Sequence, residues 1–129
     1  MRFLGLAIGA AFVMTAHAAA ADARFERSLQ MLAPSERLEQ LCDYTAMVQI
    51  RKEHRQFRPD RAVANATAEV QKKGHTLVAK GAAFRSRNKW YALSFTCKAE
   101  AEHLKIESFQ YTIGSEIPEA KWAAYGLWQ

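Results

Sequence analysis

The chain has 129 residues, of which 50% are hydrophobic, 24% charged and 11% aromatic. These proportions are typical of one globular domain, and they exclude a collagen-like repeat, a coiled-coil rod and a multi-domain enzyme. Two cysteines are too few for a disulfide-rich mini-protein, and the formal net charge is +5.

The N-terminus has the three-part pattern of a cleavable export signal. One arginine precedes an uncharged run at residues 3–14, and the small residues Ala16 and Ala18 follow it. We expect cleavage after Ala18, because small residues at positions −3 and −1 mark such sites. The run is too short for a membrane anchor, which needs about 20 apolar residues. Residues 1–18 are therefore predicted to be a signal peptide, and residues 19–129 a single periplasmic domain with no transmembrane anchor after cleavage.

Cys42 and Cys97 are the two cysteines of the chain, and both lie in the predicted mature part. An oxidising compartment favours one intramolecular disulfide between them. Closing a loop of this length stabilises a fold by roughly 4 kcal/mol in the chain-entropy model. The alternatives are two free thiols or a pair of metal ligands, but two isolated sulfurs with no CxxC or HxxxH beside them make a poor zinc site.

Positive charge is concentrated in the middle of the chain. Residues 51–98 carry twelve basic and three acidic side chains, a net of +9, whereas residues 19–50 and 99–129 carry −2 and −3. Such a segment concentrates anions near it. In a periplasm no nucleic-acid partner is expected, so the anticipated partners are an anionic envelope component or an acidic protein. The alternative is a solvated sheet face whose charges pair with the acidic flanks.

Helical patterns occupy the first part of the domain. Residues 23–32 predict a short helix that ends before Pro34, and residues 36–54 predict a longer one with Ser35 as its N-cap. The longer helix has one apolar stripe, which consists of Leu38, Leu41, Cys42, Thr45 and Val48, widened by Ala46 and Ile50. Cys42 is therefore expected to face the core.

The periodicity changes to two after Pro59. Four strands are predicted, over residues 62–70, 75–85, 89–97 and 103–113, with turns at residues 72–74 and 86–89. In the third strand the alternation places Tyr91, Leu93, Phe95 and Cys97 on the inner face and Trp90, Ser94 and Thr96 on a face exposed to water.

Two bulges are expected in this sheet. One lies at Lys80-Gly81, because unbroken alternation there would bury Lys80 in the core. The other lies near Glu107-Ser108, where the apolar set of the fourth strand slips by one residue.

The predicted fold class is α+β. The N-terminal helices pack on one face of a four-stranded antiparallel meander, clamped to it by the disulfide. A short C-terminal helix begins at Pro118 and ends near Gly126, with Trp122, Tyr125 and Trp128 as core or cap residues.

Several segments occur in an order that resembles the proteobacterial Domain of Unknown Function 930 family. They are ERLEQLCD at residues 36–43, FRPDR at 57–61, GAAFRSR at 81–87, KWY at 89–91, LSF at 93–95, Ile117-Pro118 and Trp122. The similarity runs over about residues 34–128. It implies a small exported domain and brings no activity, ligand or cofactor with it.

Motifs for catalysis are absent from the sequence. There is no GxSxG, no HExxH and no phosphate-binding glycine loop, and His54, His75 and His103 are too far apart in sequence for a local metal motif. No cofactor and no metal are therefore expected. A pair of catalytic carboxylates could be assembled from Glu100, Glu102, Glu107 and Glu116, but any acidic surface allows that.

Binding has more support, from the segment around the predicted hairpin turn. Arg85, Arg87 and Lys89 lie beside Trp90. Cations that can donate hydrogen bonds to a phosphate or carboxylate therefore adjoin a ring that can stack on a sugar. Arg58 and Arg61 form a second, weaker candidate. The alternative is that the cations keep a strand edge soluble.

Two functions are compatible with these observations. The first is a non-catalytic periplasmic binding or adaptor domain that holds an anionic component through its basic hairpin. The second is a small envelope-acting hydrolase with dispersed acidic or histidine residues. A cavity with two convergent carboxylates would favour the hydrolase, and a shallow basic face would favour the binding domain.

Overall fold

The fold is seen in a computed structural model, which describes residues 16–129. The apolar run at residues 3–14 lies outside the described residues, and the predicted cleavage site falls within the first described helix, α1, at Ala16–Gln30. Across residues 16–129, no helix is both long and apolar enough to span a membrane.

Helix α2 spans Pro34–Glu53, close to the predicted bounds. The predicted Ser35 cap is wrong, because Ala33 occupies the N-cap and Pro34 begins the helix. Proline suits the first helical position, where its missing N–H needs no partner. The apolar stripe is confirmed in its main members, since Leu38, Leu41, Cys42, Ala46 and Ile50 are buried. Thr45 is half-buried, and Val48 is exposed at the margin.

Arg37 joins the two helices. Its Nε donates to the carbonyls of Leu29 and Leu32, both at 3.0 Å, and its Nη2 donates to the carbonyl of Gln30 at 3.3 Å. Carbonyls at the end of a helix have no intrahelical partner, so a guanidinium placed there satisfies several at once.

The sheet has five antiparallel strands, one more than predicted. They are β1 Pro59–Val63, β2 Gln71–Lys73, β3 Thr76–Ser86, β4 Lys89–Ala99 and β5 Ile106–Glu116. The order is β1-β3-β4-β5, and β2 pairs with the other half of the β3 edge. The predicted first strand over residues 62–70 is wrong beyond Val63, because residues 64–70 form a loop between β1 and β2. That loop crosses β3, where the Thr67 N–H donates to the Gly81 carbonyl at 2.8 Å. The predicted turn at residues 72–74 is also displaced, since residues 71–73 form β2 and the turn lies at residues 74–75.

Both predicted bulges are confirmed. Between the pairs Ala79–Phe95 and Ala82–Leu93, strand β3 has one residue more than β4, and Lys80 is exposed. In β5 the extra residue is Glu107. Gly81 is buried at the first bulge, and a Cβ there would collide with the backbone of the crossing loop.

The inner face of the sheet packs against α2, and the disulfide lies in this core. Cys42 and Cys97 are bonded, with a Cα–Cα distance of 6.0 Å, and both are fully buried. Leu77, Phe84, Leu93 and Phe95 of the sheet and Leu29 of α1 complete the main core. The α+β class and the helix clamp are therefore confirmed.

The outer face of the sheet differs from expectation around Trp90. This ring is fully buried, so its predicted exposure to water is wrong. The chain after β5 forms two 3-10 turns, Glu119–Lys121 and Ala123–Tyr125, instead of one short helix. This segment covers Trp90 and forms a second small core that contains Ala83, Ile117, Trp122 and Leu127. Gly126 ends the segment with a φ of 66°, as predicted for a stop residue.

Candidate functional site

The β3–β4 hairpin turn places two cations at its tip. Arg87 and Asn88 have φ angles of 51° and 64°, and a two-residue turn with both φ values positive matches the right-handed twist of its strands. Arg87 and Lys89 are exposed on this turn. The tight turn predicted at residues 86–89 is therefore confirmed.

Strand β1 brings two more cations to the same end of the sheet. Pro59 pairs with Ser86, and Arg61 pairs with Arg85. The Arg58 N–H donates to the Ser86 Oγ at 2.8 Å, which ties the entry to β1 to the hairpin. Arg58 and Arg61 are exposed, so the two predicted candidate groups form one surface.

The end of α2 adjoins this surface. The Arg51 Nη2 donates to the Pro59 carbonyl at 2.7 Å, and this bond holds the end of the helix beside the start of β1. Arg51 and Lys52 lie in the last helical turn, where cations interact favourably with the helix dipole. We call the surface formed by Arg51, Lys52, Arg58, Arg61, Arg85, Arg87 and Lys89 the basic end.

Arg85 has a structural role within the basic end. Its Nε and Nη2 donate to the two carboxylate oxygens of Asp60, at 2.9 and 2.8 Å. This bidentate pair lowers the pKa of Asp60 and raises the pKa of Arg85. The guanidinium also lies 6.0 Å from the ring centres of both Trp90 and Trp128. The donors on Nε and Nη2 of Arg85 are therefore used within the surface, where they hold Asp60.

Trp128 is the exposed tryptophan at this end of the sheet, whereas Trp90 is buried. Its ring is 48% exposed and lies edge-on to Trp90, with 5.4 Å between the ring centres. Its carbonyl accepts a 2.7 Å hydrogen bond from the Trp90 Nε1–H. Trp128 is distant from the hairpin in sequence, so the local pattern could not have identified it. The available signal was a tryptophan next to the C-terminus.

The other cations of the basic end differ from Arg85 in their partners. The ion pairs within residues 16–129 join Lys72 to Glu39, Arg85 to Asp60 and Lys98 to Glu107. None of them uses Arg58, Arg61, Arg87 or Lys89. The guanidinium of Arg61 donates to the carbonyl of Asp60, its neighbour, at 2.8 Å. Arg61 lies beside Asp60 and its charge contributes to the lowered pKa of that carboxyl. Arg58, Arg87 and Lys89 are therefore the cations of the basic end that are most available to an external anion.

A catalytic arrangement has less support in the described part of the chain. Glu26, Glu100 and Glu102 line a depression of about 480 Å³. However, Glu100 and Glu102 are exposed, whereas a carboxyl that serves as a general acid is normally buried. Asp43 is half-buried with its Oδ1 fully enclosed, and desolvation raises its pKa to about 8. It lines neither this depression nor the apolar groove of about 450 Å³ beside α2.

Comparison with known proteins identifies the family. No curated protein and no solved structure matches the chain. The family model described as Domain of Unknown Function (DUF930) matches residues 29–127. This span includes the main core, the disulfide and all the residues of the basic end. That span agrees with the resemblance noted over residues 34–128. The chain therefore belongs to the DUF930 family.

Proposed function

We propose that this protein is an exported, non-catalytic binding or adaptor domain of the periplasm. Its ligand is an anionic component of the cell envelope that presents phosphate or carboxylate groups beside a sugar ring. The observation that carries the proposal is the convergence of four exposed cations on one end of the sheet: Arg58, Arg87 and Lys89, which form none of the ion pairs described above, and Arg61, which lies beside Asp60.

The chemistry of the basic end fits such a ligand. Guanidinium groups donate to phosphate and carboxylate through two parallel hydrogen bonds. Trp128 offers a half-exposed ring beside them for stacking on a sugar face. The surface is rigid, because the hairpin turn, the Arg58–Ser86 bond and the Arg85–Asp60 pair fix its parts.

Vesicle sedimentation tests the proposal. The probes are vesicles of phosphatidylcholine alone, of phosphatidylcholine with phosphatidylglycerol, and of phosphatidylcholine with lipopolysaccharide. We expect binding to both anionic vesicles, strongest with lipopolysaccharide, and weaker binding as salt rises because exposed charges are screened. An acidic protein as the true partner would leave all three vesicle types unbound, and that result would contradict an envelope ligand.

Matched charge variants locate the binding surface. The test variant combines Arg61→Gln, Arg87→Asn and Lys89→Gln, and asparagine tolerates the positive φ at residue 87. The control variant combines Lys73→Gln, Lys80→Gln and Lys105→Gln, which removes the same charge elsewhere from exposed lysines. A cation near an anionic surface contributes about 1 kcal/mol, so the test variant should bind roughly 100-fold more weakly. Equal losses in both variants would mean that net charge, and not the basic end, determines binding.

The Trp128→Ala variant distinguishes recognition of the sugar from recognition of the phosphate. Removing the ring should weaken binding to lipopolysaccharide several-fold while binding to phosphatidylglycerol changes little, because stacking needs a ring on the ligand. An equal effect on both vesicles would contradict the role of Trp128 in sugar recognition.

A further inference from the structure

The fold brings together two histidines that are 28 residues apart in sequence. His75 lies in the turn between β2 and β3, and His103 lies in the connection between β4 and β5. The Nδ1 of His75 and the Nε2 of His103 are 2.8 Å apart, and the rings are inclined by 71°. This pair lies at the other end of β3 from the hairpin turn of the basic end.

A hydrogen bond to the backbone fixes the position of the proton on His103. Its Nδ1 lies 2.9 Å from the carbonyl oxygen of Pro34. A carbonyl only accepts, so Nδ1 carries the hydrogen and the lone pair of Nε2 points towards His75. The contact between the rings is then a hydrogen bond in which His75 donates from its own Nδ1.

Hydrogen bonds to the main chain fix the two connections that carry these rings. The His75 carbonyl accepts from the Ala99 N–H at 2.9 Å, and the His103 N–H donates to the Glu100 carbonyl at 2.9 Å. His103 has a φ of 58°, which is uncommon for a residue with a side chain. The Arg37 Nη1, from α2, donates to the carbonyl of Glu102 at 3.1 Å and anchors the same loop.

We propose that His75 and His103 form a binding site for a divalent transition-metal ion of the Cu(II) type. Imidazole nitrogen is a preferred ligand of such ions. The metal would replace the shared hydrogen, once His75 moves its proton from Nδ1 to Nε2 through solvent, so both ring nitrogens that now face each other present a lone pair. No net proton is released from the neutral pair.

The distance between the two nitrogens favours Cu(II) over Zn(II). Two ligands about 2.0 Å from an ion and at a right angle to each other are about 2.8 Å apart, as in tetragonal coordination. Tetrahedral angles would need about 3.3 Å at the same bond length, so the two nitrogens would lie farther apart for zinc than they do here. Because the lone pair of His103 Nε2 points at His75 in the hydrogen bond, the ion would lie on that axis and the exposed His75 ring would move aside to approach it at a right angle.

The surroundings of the pair complete the argument. A metal-binding histidine commonly donates its second N–H to a carbonyl, and Pro34 already accepts that bond from His103. Within residues 16–129 no group of three or more His, Cys, Asp or Glu side chains could hold a metal. Water therefore fills the remaining positions, and the ion is exchangeable.

Titration of untagged protein with Cu(II) tests the proposal. Electron paramagnetic resonance should show one stoichiometric tetragonal site with nitrogen ligands, and Cu(II) should bind more tightly than Zn(II). His75→Gln and His103→Gln should each weaken binding at least about tenfold, since the loss of outer-shell partners alone costs about 10- to 100-fold. His54→Gln is a matched control that removes an imidazole outside the pair, and it should bind as the unchanged protein does.

Circular dichroism of each variant shows whether the fold is kept, and His75→Gln, on an exposed turn, keeps the test valid if His103→Gln does not fold. Copper should also raise the melting temperature of the unchanged protein but not that of His75→Gln. The absence of a stoichiometric site, or a copper spectrum that His75→Gln leaves unchanged, would overturn the proposal and make the pair a hydrogen bond only.

Discussion

Among the titratable residues that the structure describes, Asp43 has a strongly raised pKa. It lies on α2, its Oδ1 is buried without a hydrogen-bond partner, and burial followed by the charge of Glu39 raises its pKa to about 8 from an ordinary value of 3.8. Burying a neutral carboxyl costs far less than burying a carboxylate. Asp43 is therefore protonated at neutral pH in the folded protein.

The titration of Asp43 makes stability depend on pH. In the unfolded chain the carboxyl ionises near pH 3.8, but in the folded protein it ionises near pH 8, so the folded state binds more protons between these values. The free energy of unfolding should fall as pH rises through this window, by on the order of 1 kcal/mol per pH unit, and level off above it. Asp43→Asn should remove this contribution.

Urea denaturation of both proteins from pH 4 to pH 9 measures the effect. The difference in unfolding free energy between Asp43→Asn and the unchanged protein should grow with pH in favour of the variant. Glu39→Gln is a suitable control, because it removes the neighbouring charge and leaves the buried carboxyl. A difference that stays constant over this range would show that Asp43 is not held protonated.

The guanidinium of Arg37 holds α2 against the end of α1 through hydrogen bonds to three carbonyls. Arg37→Lys keeps the charge but replaces a planar guanidinium by a compact ammonium, whose three N–H groups sit on one nitrogen and cannot reach all three carbonyls from one position. We expect a loss of about 1.5 to 3 kcal/mol in unfolding free energy, typical of hydrogen bonds to charged groups. Arg27→Lys changes an exposed residue of α1 and should alter the unfolding free energy by less than about 0.5 kcal/mol. Urea midpoints of the two variants decide between these outcomes.

At the scale of elements, the disulfide attaches α2 to β4. The two elements belong to different parts of the chain, and Cys42 and Cys97 are fully buried between them. The β-ladder itself does not pass through the bond. Reduction should therefore loosen the helix from the sheet before the strands separate.

Serine substitution measures the contribution of this bond. Cys42→Ser or Cys97→Ser should lower the unfolding free energy by about 2 to 5 kcal/mol. The double variant should cost little more than either single one, since the two residues act as a unit. Denaturation of all three variants, followed by tryptophan fluorescence, provides the comparison. Additive losses would mean that packing of the two sulfurs, and not the bond, is responsible.

For the whole molecule, the disulfide bears on the compartment in which the protein folds. A buried disulfide between distant residues is typical of proteins that fold in an oxidising compartment. The export signal proposed at residues 1–18 would take the chain there, and the basic end would then meet anionic envelope surfaces.

Intact-mass analysis tests this export. Protein recovered from the periplasm of a producing bacterium should begin at Ala19 and contain no titratable thiol after denaturation without reductant. A variant with Ala16→Leu and Ala18→Leu should retain residues 1–18, because large side chains at positions −3 and −1 block cleavage. A mass that includes Arg2 in the unchanged protein would contradict the proposed processing.

Local patterns in the sequence determined most of the elements. The apolar stripe of α2, the inner face of β4 and the bulge at Lys80-Gly81 followed from periodicity and from the cost of burying a charge. These patterns also oriented Cys42 and Cys97 towards each other. The β1–β2 region was predicted wrongly, since small residues at 64–69 alternate like a strand, yet cross β3 as a loop.

Only the tertiary structure decided what covers each face and which distant residues meet. Strand alternation shows that Trp90 lies opposite the core, but it does not show that the C-terminal segment covers that ring and presents Trp128 instead. In the same way, Asp60 binds Arg85, and His75 meets His103, because the sheet aligns loops that are far apart in sequence. A periodic pattern records the faces of one element, whereas contacts between elements depend on how the whole chain packs.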